Sequence, residues 1–458
     1  MLTAFDSEHP YDTNLICADV EPHFAIVSHL GAELFQDRYN IGAWAWELPH
    51  FPEKWHDRFA YYDEIWVGSS FIANALAPVS PIPVVRVPPV MGSGSGGSRE
   101  AGRRKLGLNP DELVFLTVFD VHSHLARKNP LAVIDAFRLA FKPSDRARLV
   151  LKCVNAHADP IGFGALAARA EGHAITIYDG YWPAHDVRDL MAACDAYVSL
   201  HRAEGIGLPI ADAMALGKPV IATGWSGNMD FMTISNSFPV QYALAEIEAD
   251  VGPYRAGQVW AEPSVTHAAA LMGQIFERRE EARACGEAAR REIEAGYSPT
   301  SVAGRIERRL EAIQTRRQLA AFRDRMWARY WKYQQLGSRI GDVVREALPP
   351  GATVIVVSKG DDGLLPVDGC RAWHFPQTED GIYAGHYPAD GAEAIDHLEA
   401  LRARGGEFLL FPATSVWWLD HYTELTAHLE HRYRRVVQQD DTCLIYSLRE
   451  TSHAPIDR

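Results

Sequence analysis

The stretch from Ala192 to Met232, AACDAYVSLHRAEGIGLPIADAMALGKPVIATGWSGNMDFM, decides how the surrounding chain folds. AYVSL (196–200) is an apolar run of strand length, HRAEGIGLP is a turn-rich loop, IADAMALG has helical spacing and closes on Gly217, and KPVIAT is a second strand. That succession is one βαβ unit of a parallel sheet. Glu204, Gly205 and Gly207 stand in the loop where the helix opens. Free backbone N–H groups and the helix dipole favour an anion at such a place, and a phosphate fits.

Upstream, the same alternation continues. LVFLTVFD (113–120), ARLVLKCV (147–154) and AITIYDG (174–180) read as strands, and LAVIDAFRLAF (131–141) and HDVRDLMAACD (185–195) as helices. The order fits a doubly wound sheet, whose ligand lies at the C-terminal edge of the strands. Lys128, Tyr181, Glu204 and Gly205 all fall in loops that follow strands, which points to one shared site. Arg127 and Lys128 read either as a solvated basic pair or as a diphosphate clamp.

Residues 12–90 carry the pieces of a partial α/β domain: NLICADV (14–20), FAIVSHL (24–30), YNIGAWAWEL (39–48), EIWVGS (64–69), the helix beginning FIANALA (71–77) and a proline-closed edge strand, PVVRVPP (83–89). Trp44, Trp46, Trp55 and Trp66 are expected to fill space between sheet and helices. MGSGSGGSREAGRR (91–104) reads as a flexible connection. Beyond the central unit, residues 246–272 change from loop to helix, 279–297 form a charged surface helix, and the next helix carries a stripe of Val302, Ile306, Leu310 and Ile313. From about residue 320 the pattern starts again as a small α/β domain, with strands at 352–359, 371–376, 407–413 and 442–448 and a helix at 392–406. Its Asp361, Asp362, Glu379, Asp380 and His386 form no motif.

Composition narrows the function. The 458 residues suggest about three domains, and no apolar run approaches a bilayer span. The first residues lack the basic start and apolar segment of a secretory signal, so a cytoplasmic location is expected. Six scattered cysteines without a CxxC pair, and nineteen histidines without an HExxH cluster, give no reason to expect a metal or another cofactor. A formal charge of −14 speaks against nucleic acid as a partner.

EGIGLPIADAMALGKPVIAT, flanked by WAWELPHFPEKW, DEIWVGSSFIANAL, RKNPLAVIDAF and LMAACDAYVSLHRAEGIGLP, resembles the family-4 glycosyltransferases, group 1 enzymes of the retaining GT-B type. The resemblance covers about residues 12–315 and implies an α/β fold of two Rossmann-like domains. The expected division is a shortened acceptor-side domain with its linker at 1–98, a donor-binding domain at 99–318 and an accessory α/β domain at 319–458. HFPQTEDGIYAGHYPAD and EFLLFPATSVWWLDHY resemble an accessory domain seen on some bacterial glycosyltransferase-like proteins.

The resemblance further implies transfer of a sugar from a nucleoside diphosphate sugar to a glycan or lipid-linked acceptor, in cell-surface polysaccharide assembly. Peripheral membrane contact is compatible with that role. Glu204 corresponds to the catalytic carboxylate that meets the donor sugar. Gly205, Ile206, Gly207 and Leu208 would offer N–H groups to the diphosphate, and Lys128 would bind the same phosphates. Asp212 stands where the family has Glu for the ribose hydroxyls, one methylene shorter. Ser123 and His122 stand where many members carry a second cation, a charge that Arg127 or Arg202 would have to supply. Two other functions are open: an inactive nucleotide-sugar-binding module that partners another enzyme, and a nucleoside diphosphate sugar epimerase, for which no acid/base set is found.

Overall fold

The computed structural model of the chain describes residues 11–449 apart from 19, 22–28, 30, 93–95, 110, 366 and 368. The expected strand at 24–30 lies, but for His29, outside the described residues. Contacts divide the chain into two units, Met1–Glu311 and Ala312–Arg458.

The first unit holds two parallel sheets. The N-terminal one has the order β1-β2-β3-β4, formed by Thr13–Cys17, Tyr39–Trp44, Glu64–Val67 and Val84–Arg86. Helix α1 (Ser70–Leu76) follows β3 and is capped by the Ser69 hydroxyl, which accepts from the Ile72 N–H. Trp44, Trp46, Trp55 and Trp66 are buried as expected, and Trp46 packs edge-on against Trp55 at 5.4 Å.

The second sheet contains β5 (Leu113–Asp120), β6 (Ala147–Val154), β7 (Ile175–Tyr178), β8 (Ala196–Ser199), β9 (Val220–Thr223) and β10 (Phe238–Val240). Its order is β10-β9-β8-β5-β6-β7 and every pairing is parallel. The chain therefore reverses direction across the sheet between β5 and β8, the switch point at which doubly wound folds open a crevice. β5 is apolar on both faces because both are covered. Phe115 looks toward Val133 and Phe137 of α3 (Pro130–Ala140), while Val114 and Leu116 join Ile210 and Met214 of the central helix on the opposite side.

Several stretches differ from the sequence reading. The expected flexible connection at 91–104 contains a helix, α2 (Arg99–Lys105), with Ser98 as its cap. Charge pairing holds it: Arg99 and Arg103 reach Asp195 at 2.6 and 3.4 Å, and Lys105 reaches Asp186 at 2.6 Å, beside and within α4 (Ala184–Ala193). Glycine and serine content concealed these basic residues at helical spacing. The stretch expected to pass from loop to helix over 246–272 instead contains a strand, β12 (Val259–Pro263), paired antiparallel with β11 (Tyr242–Glu246), which is largely exposed and so without a burial pattern to betray it.

After α5 (Leu208–Ala215), α6 (Val265–Glu277) and α7 (Arg279–Tyr297), the helix α8 runs without interruption from Pro299 to Gln334, through position 318/319. The second unit then has α9 (Leu336–Ala347), α10 (Gly391–Ala403) and α11 (Thr423–Arg432) around one sheet of order β14-β13-β15-β17-β16. These strands are β13 (Thr353–Val356), β14 (Arg371–His374), β15 (Phe408–Pro412), β16 (Arg434–Gln439) and β17 (Cys443–Ser447). β13 runs parallel to β14 and β15, and β17 antiparallel to β15 and β16. The edge strand β16, RRVVQQ, was not anticipated because four of its six residues are polar.

Candidate functional site

The loops after β5 and β8 meet at the switch point of the large sheet. Past β5, a helical turn at Leu125–Lys128 presents Arg127 and Lys128; past β8, residues 200–207 bring Glu204 to the N-terminus of α5. Glu204 is 8% exposed. Its two oxygens are divided between the cations: Lys128 Nζ bonds Oε1, and Arg127 Nη1 lies 3.3 Å from Oε2. Arg127, itself buried, also donates to the carbonyls of Ala203 at 2.9 Å and Ser123 at 3.2 Å. Burial pushes the Glu204 carboxyl upward, but the charges of Lys128 and Arg127 outweigh it and hold the group at about 2. Burial also opposes the Arg127 charge, and Glu204 more than restores it. The site is thus a carboxylate held ionised at neutral pH between two cations.

The loop itself is pinned from behind. Asn228 Nδ2 donates to the Thr223 carbonyl at 2.9 Å, which leaves its Oδ1 to accept from His201 Nε2 at 3.1 Å and from the Ser226 hydroxyl at 3.3 Å. His201 Nδ1 then accepts from Ser199 at 3.0 Å, and burial holds this imidazole below its usual range, in the neutral form. Ser226 accepts from the Glu204 N–H at 3.0 Å. Gly227 donates to the Glu204 carbonyl at 2.9 Å, and a β-carbon on it would lie 1.9 Å from the Gly205 carbonyl oxygen, so only glycine fits this close approach. Non-glycine residues with left-handed φ gather in the same loops: His124, Asn129, Asn155 and Ser226 all follow strands at this edge.

With the loop so held, the N–H groups of Gly205, Ile206, Gly207 and Leu208 have no acceptor among the described residues. Gly207, at φ 88°, turns the chain into α5 and leaves these donors at its start. Beside them lies a cavity of about 330 Å³ lined by Ser123, Lys128, Tyr181, Asp120, Lys152 and Trp182 among others. Tyr181 is 87% exposed at its mouth. Asp212, on α5, accepts from the Gly92 N–H at 3.3 Å; burial pushes its carboxyl upward. Arg202 is committed elsewhere, to Glu262 at 2.5 Å and the Ala126 carbonyl at 2.6 Å, whereas Arg127 is at Glu204.

An anion-ready helix start at the switch point of a doubly wound sheet, with an ionised carboxylate and two cations, is the arrangement on which the comparisons bear. Residues 98–292 match the family model of glycosyl transferases group 1. Among solved structures, the chain is similar to HepE of Anabaena, crystallised with UDP and glucose, at TM-score 0.51 and 17% identity over 66% of this chain and 78% of that one. It is likewise similar to a glycosyltransferase of Rickettsia africae ESF-5, at TM-score 0.51 and 15% identity over 66% of this chain and 76% of the other. These similarities are of fold: the chain has a GT-B-type α/β architecture with parallel sheets. A comparison with curated proteins returns no match.

Within the matched residues 98–292, the geometry brings together Glu204, Lys128, Arg127 and the start of α5, with Ser123 and Tyr181 at the adjoining cavity. Asp212 lies one turn into α5. Sequence reasoning missed His201, Ser226, Asn228, Asp120 and Lys152. The first three sit in the quoted stretch, in HRAEG and GWSGN, where a strand-end loop rich in hydrogen-bonding residues was the available signal. Lys152 lies inside β6, nearly fully buried, with Nζ donating to the Cys153 carbonyl at 2.7 Å and lying 5.2 Å from the Trp182 ring centre; nothing in an apolar strand pattern flags it.

The N-terminal sheet contributes to the same loop. Ser69 donates to the Gly205 carbonyl at 2.6 Å, and Asp230 accepts from the Ser70 N–H at 2.8 Å while pairing with Arg86 at 2.8 Å. The strand ends of this sheet line a cleft of about 590 Å³ that includes Ala43, Ala45, Val67, Pro89 and Val90 and reaches Ile206 of the loop after β8. Among the described residues its lining holds no ionisable side chain other than Cys17.

Proposed function

We propose that this chain is a retaining glycosyltransferase that moves a sugar from a nucleoside diphosphate sugar to an acceptor alcohol, on the cytoplasmic side of a bacterial cell, for a cell-surface polysaccharide or glycoconjugate. One juxtaposition carries the reading: ionised Glu204, its two cations and the open N–H groups of 205–208 around a single point. A diphosphate seated there would take over Lys128 and Arg127 from Glu204 and accept from the N–H groups. As the bond from anomeric carbon to phosphate oxygen breaks, these donors stabilise the negative charge that the phosphate gains. The acceptor oxygen bonds to the same face of the sugar, and its proton passes to the departing phosphate. Glu204, held ionised, faces the positive charge that develops on the sugar. The neutral, twice-bonded His201 acts through the loop and positions Glu204.

The cell-surface role and the retained configuration rest on the resemblance of EGIGLPIADAMALGKPVIAT. The apolar cleft beside Ile206 supports an acceptor with a lipid or other apolar portion. Anabaena HepE was solved with UDP and glucose, which makes UDP-sugars the first donors to try. Calorimetric titration with UDP, GDP and ADP, joined to hydrolysis assays on the matching sugars, tests the proposal. Binding with slow donor hydrolysis supports the transferase, binding without turnover supports an inactive nucleotide-sugar module, and no binding defeats both.

A further inference from the structure

Within the second unit, helix α8 leaves most of a long face uncovered, although the Tyr333 hydroxyl on it donates to Asp361. From Ala321 to Gln335 every residue is exposed, including Phe322 at 54%, Met326 at 55%, Trp327 at 53% and Trp331 at 59%. The next helix, α9, buries Leu336, Ile340 and Val344 in the usual way. At about 100° per residue, Phe322, Met326, Leu319, Tyr330, Trp327 and Trp331 follow one another around roughly half the circumference. Tyr330 packs against both tryptophans, at 5.6 and 5.5 Å. Arg325, Arg329 and Lys332 occupy the other half and are exposed. Across 312–334 the sequence has six basic residues and one acidic, in a chain whose formal charge is −14.

We propose that this helix is a docking surface for an anionic lipid bilayer, lying in the headgroup layer with its aromatic side down. Three observations select that occupant. Tryptophan and tyrosine prefer the membrane interface, where an apolar ring meets a polar edge. A basic face opposite an aromatic one is the pattern of an interfacial helix, and local positive charge in an acidic protein complements anionic headgroups. No helix among the described residues is long and apolar enough to cross a membrane, so the helix lies on the bilayer. A second copy of the chain suits the face less. The apolar arc is far wider than a coiled-coil seam, and Arg316 and Arg323 rise within it, where a bilayer lets them snorkel but a paired helix would oppose like charges.

The full chain is to be sedimented with vesicles of phosphatidylcholine alone and of phosphatidylcholine mixed with phosphatidylglycerol, while tryptophan emission is followed. The expected result is binding to the anionic vesicles with a blue shift, weakened by salt. Each of two double variants, Trp327→Gln with Trp331→Gln and Arg325→Glu with Arg329→Glu, should lower partitioning by about tenfold. Both place good helix formers at exposed positions, so circular dichroism should be unchanged. The proposal is overturned if the native chain ignores anionic vesicles, or if folded double variants bind as well as it does. A lipid-free dimer in ultracentrifugation that the tryptophan variant turns into monomer, with no vesicle binding, would give the face to a second copy instead.

Discussion

At the C-terminal edge of the sheet around β5, a buried carboxylate meets two cations and a row of open N–H groups; at the same edge of the N-terminal sheet, the strands end on Ala43, Val67 and a run of prolines around an apolar cleft. Both sheets are parallel, and both obey the rule that ligands gather where strands end. Topology therefore locates two sites, and side-chain chemistry separates them. On the proposed function, the charged edge takes the leaving diphosphate and the apolar one the group that receives the sugar. Ile206 belongs to both, because its side chain lines the cleft while its N–H stands at the start of α5.

The severest test of this division is Glu204→Gln. On the proposed function it removes the negative charge that faces the sugar, and turnover should fall by about 10²-fold or more, with UDP binding weakened less. Stability should fall too, by about 1–3 kcal/mol, because Gln keeps the oxygen but leaves buried Arg127 with a weaker partner. Retained turnover in a folded variant removes Glu204 from the chemistry. The same ion group predicts an acid limb. Since the folded Glu204 carboxyl titrates at about 2, below its unfolded value near 4.5, its contribution to stability is complete above the unfolded value and is lost as pH falls from there toward 2. Thermal melts across that window should show the loss in the native chain and a reduced loss in Glu204→Gln.

Lys128→Ala comes next. If the charged edge holds the diphosphate, affinity for the matching nucleoside diphosphate should fall by about 10–100-fold in calorimetry, the cost of one charge-assisted bond. An unchanged affinity would shift the phosphate toward Lys152. The apolar edge is tested by Ala45→Trp, which fills part of the cleft from an exposed position. The acceptor KM should rise by about tenfold while nucleotide binding and donor hydrolysis stay as they were. An equal loss of donor hydrolysis would mean that the two edges are one pocket.

The charged edge was far more legible in the sequence than the apolar one. Strand, glycine-bearing loop and helix could be read directly from 196–223, because continuous apolar runs and an abrupt change to helical period leave few alternatives. Glu204 and Lys128 came from loop position and motif. Their mutual contact did not, since 76 residues separate them and only the fold brings them together. The network behind the loop escaped for the same reason: His201 and Asn228 look like ordinary turn residues until the ring is found buried. Helix α2 was hidden by composition, glycine and serine masking a helix that charge pairing with Asp195 and Asp186 stabilises. The aromatic side of α8 was visible as letters but not as a face, because burial, not periodicity, reveals that nothing covers it.

Asp212 provides the smallest and sharpest contrast, since it lies where the two halves of the first unit touch. Its carboxylate accepts from Gly92, in the segment between the two sheets, and burial pushes its pKa upward. If it meets the ribose as a carboxylate, nucleotide affinity should fall as pH drops through a range lying above the ordinary carboxylate value, because the protonated form binds hydroxyl donors less well. Asp212→Asn should then cost only a few-fold in affinity at neutral pH, about the worth of one neutral hydrogen bond, and should flatten that acid limb. Asp212→Glu restores the missing methylene, and on the same reading it should bind as well as the native chain or better. Were Asp212 instead only a brace for Gly92, both variants would lower the melting temperature and leave the pH profile of nucleotide binding where it was. The two outcomes separate a nucleotide contact from a structural one without any assay of sugar transfer.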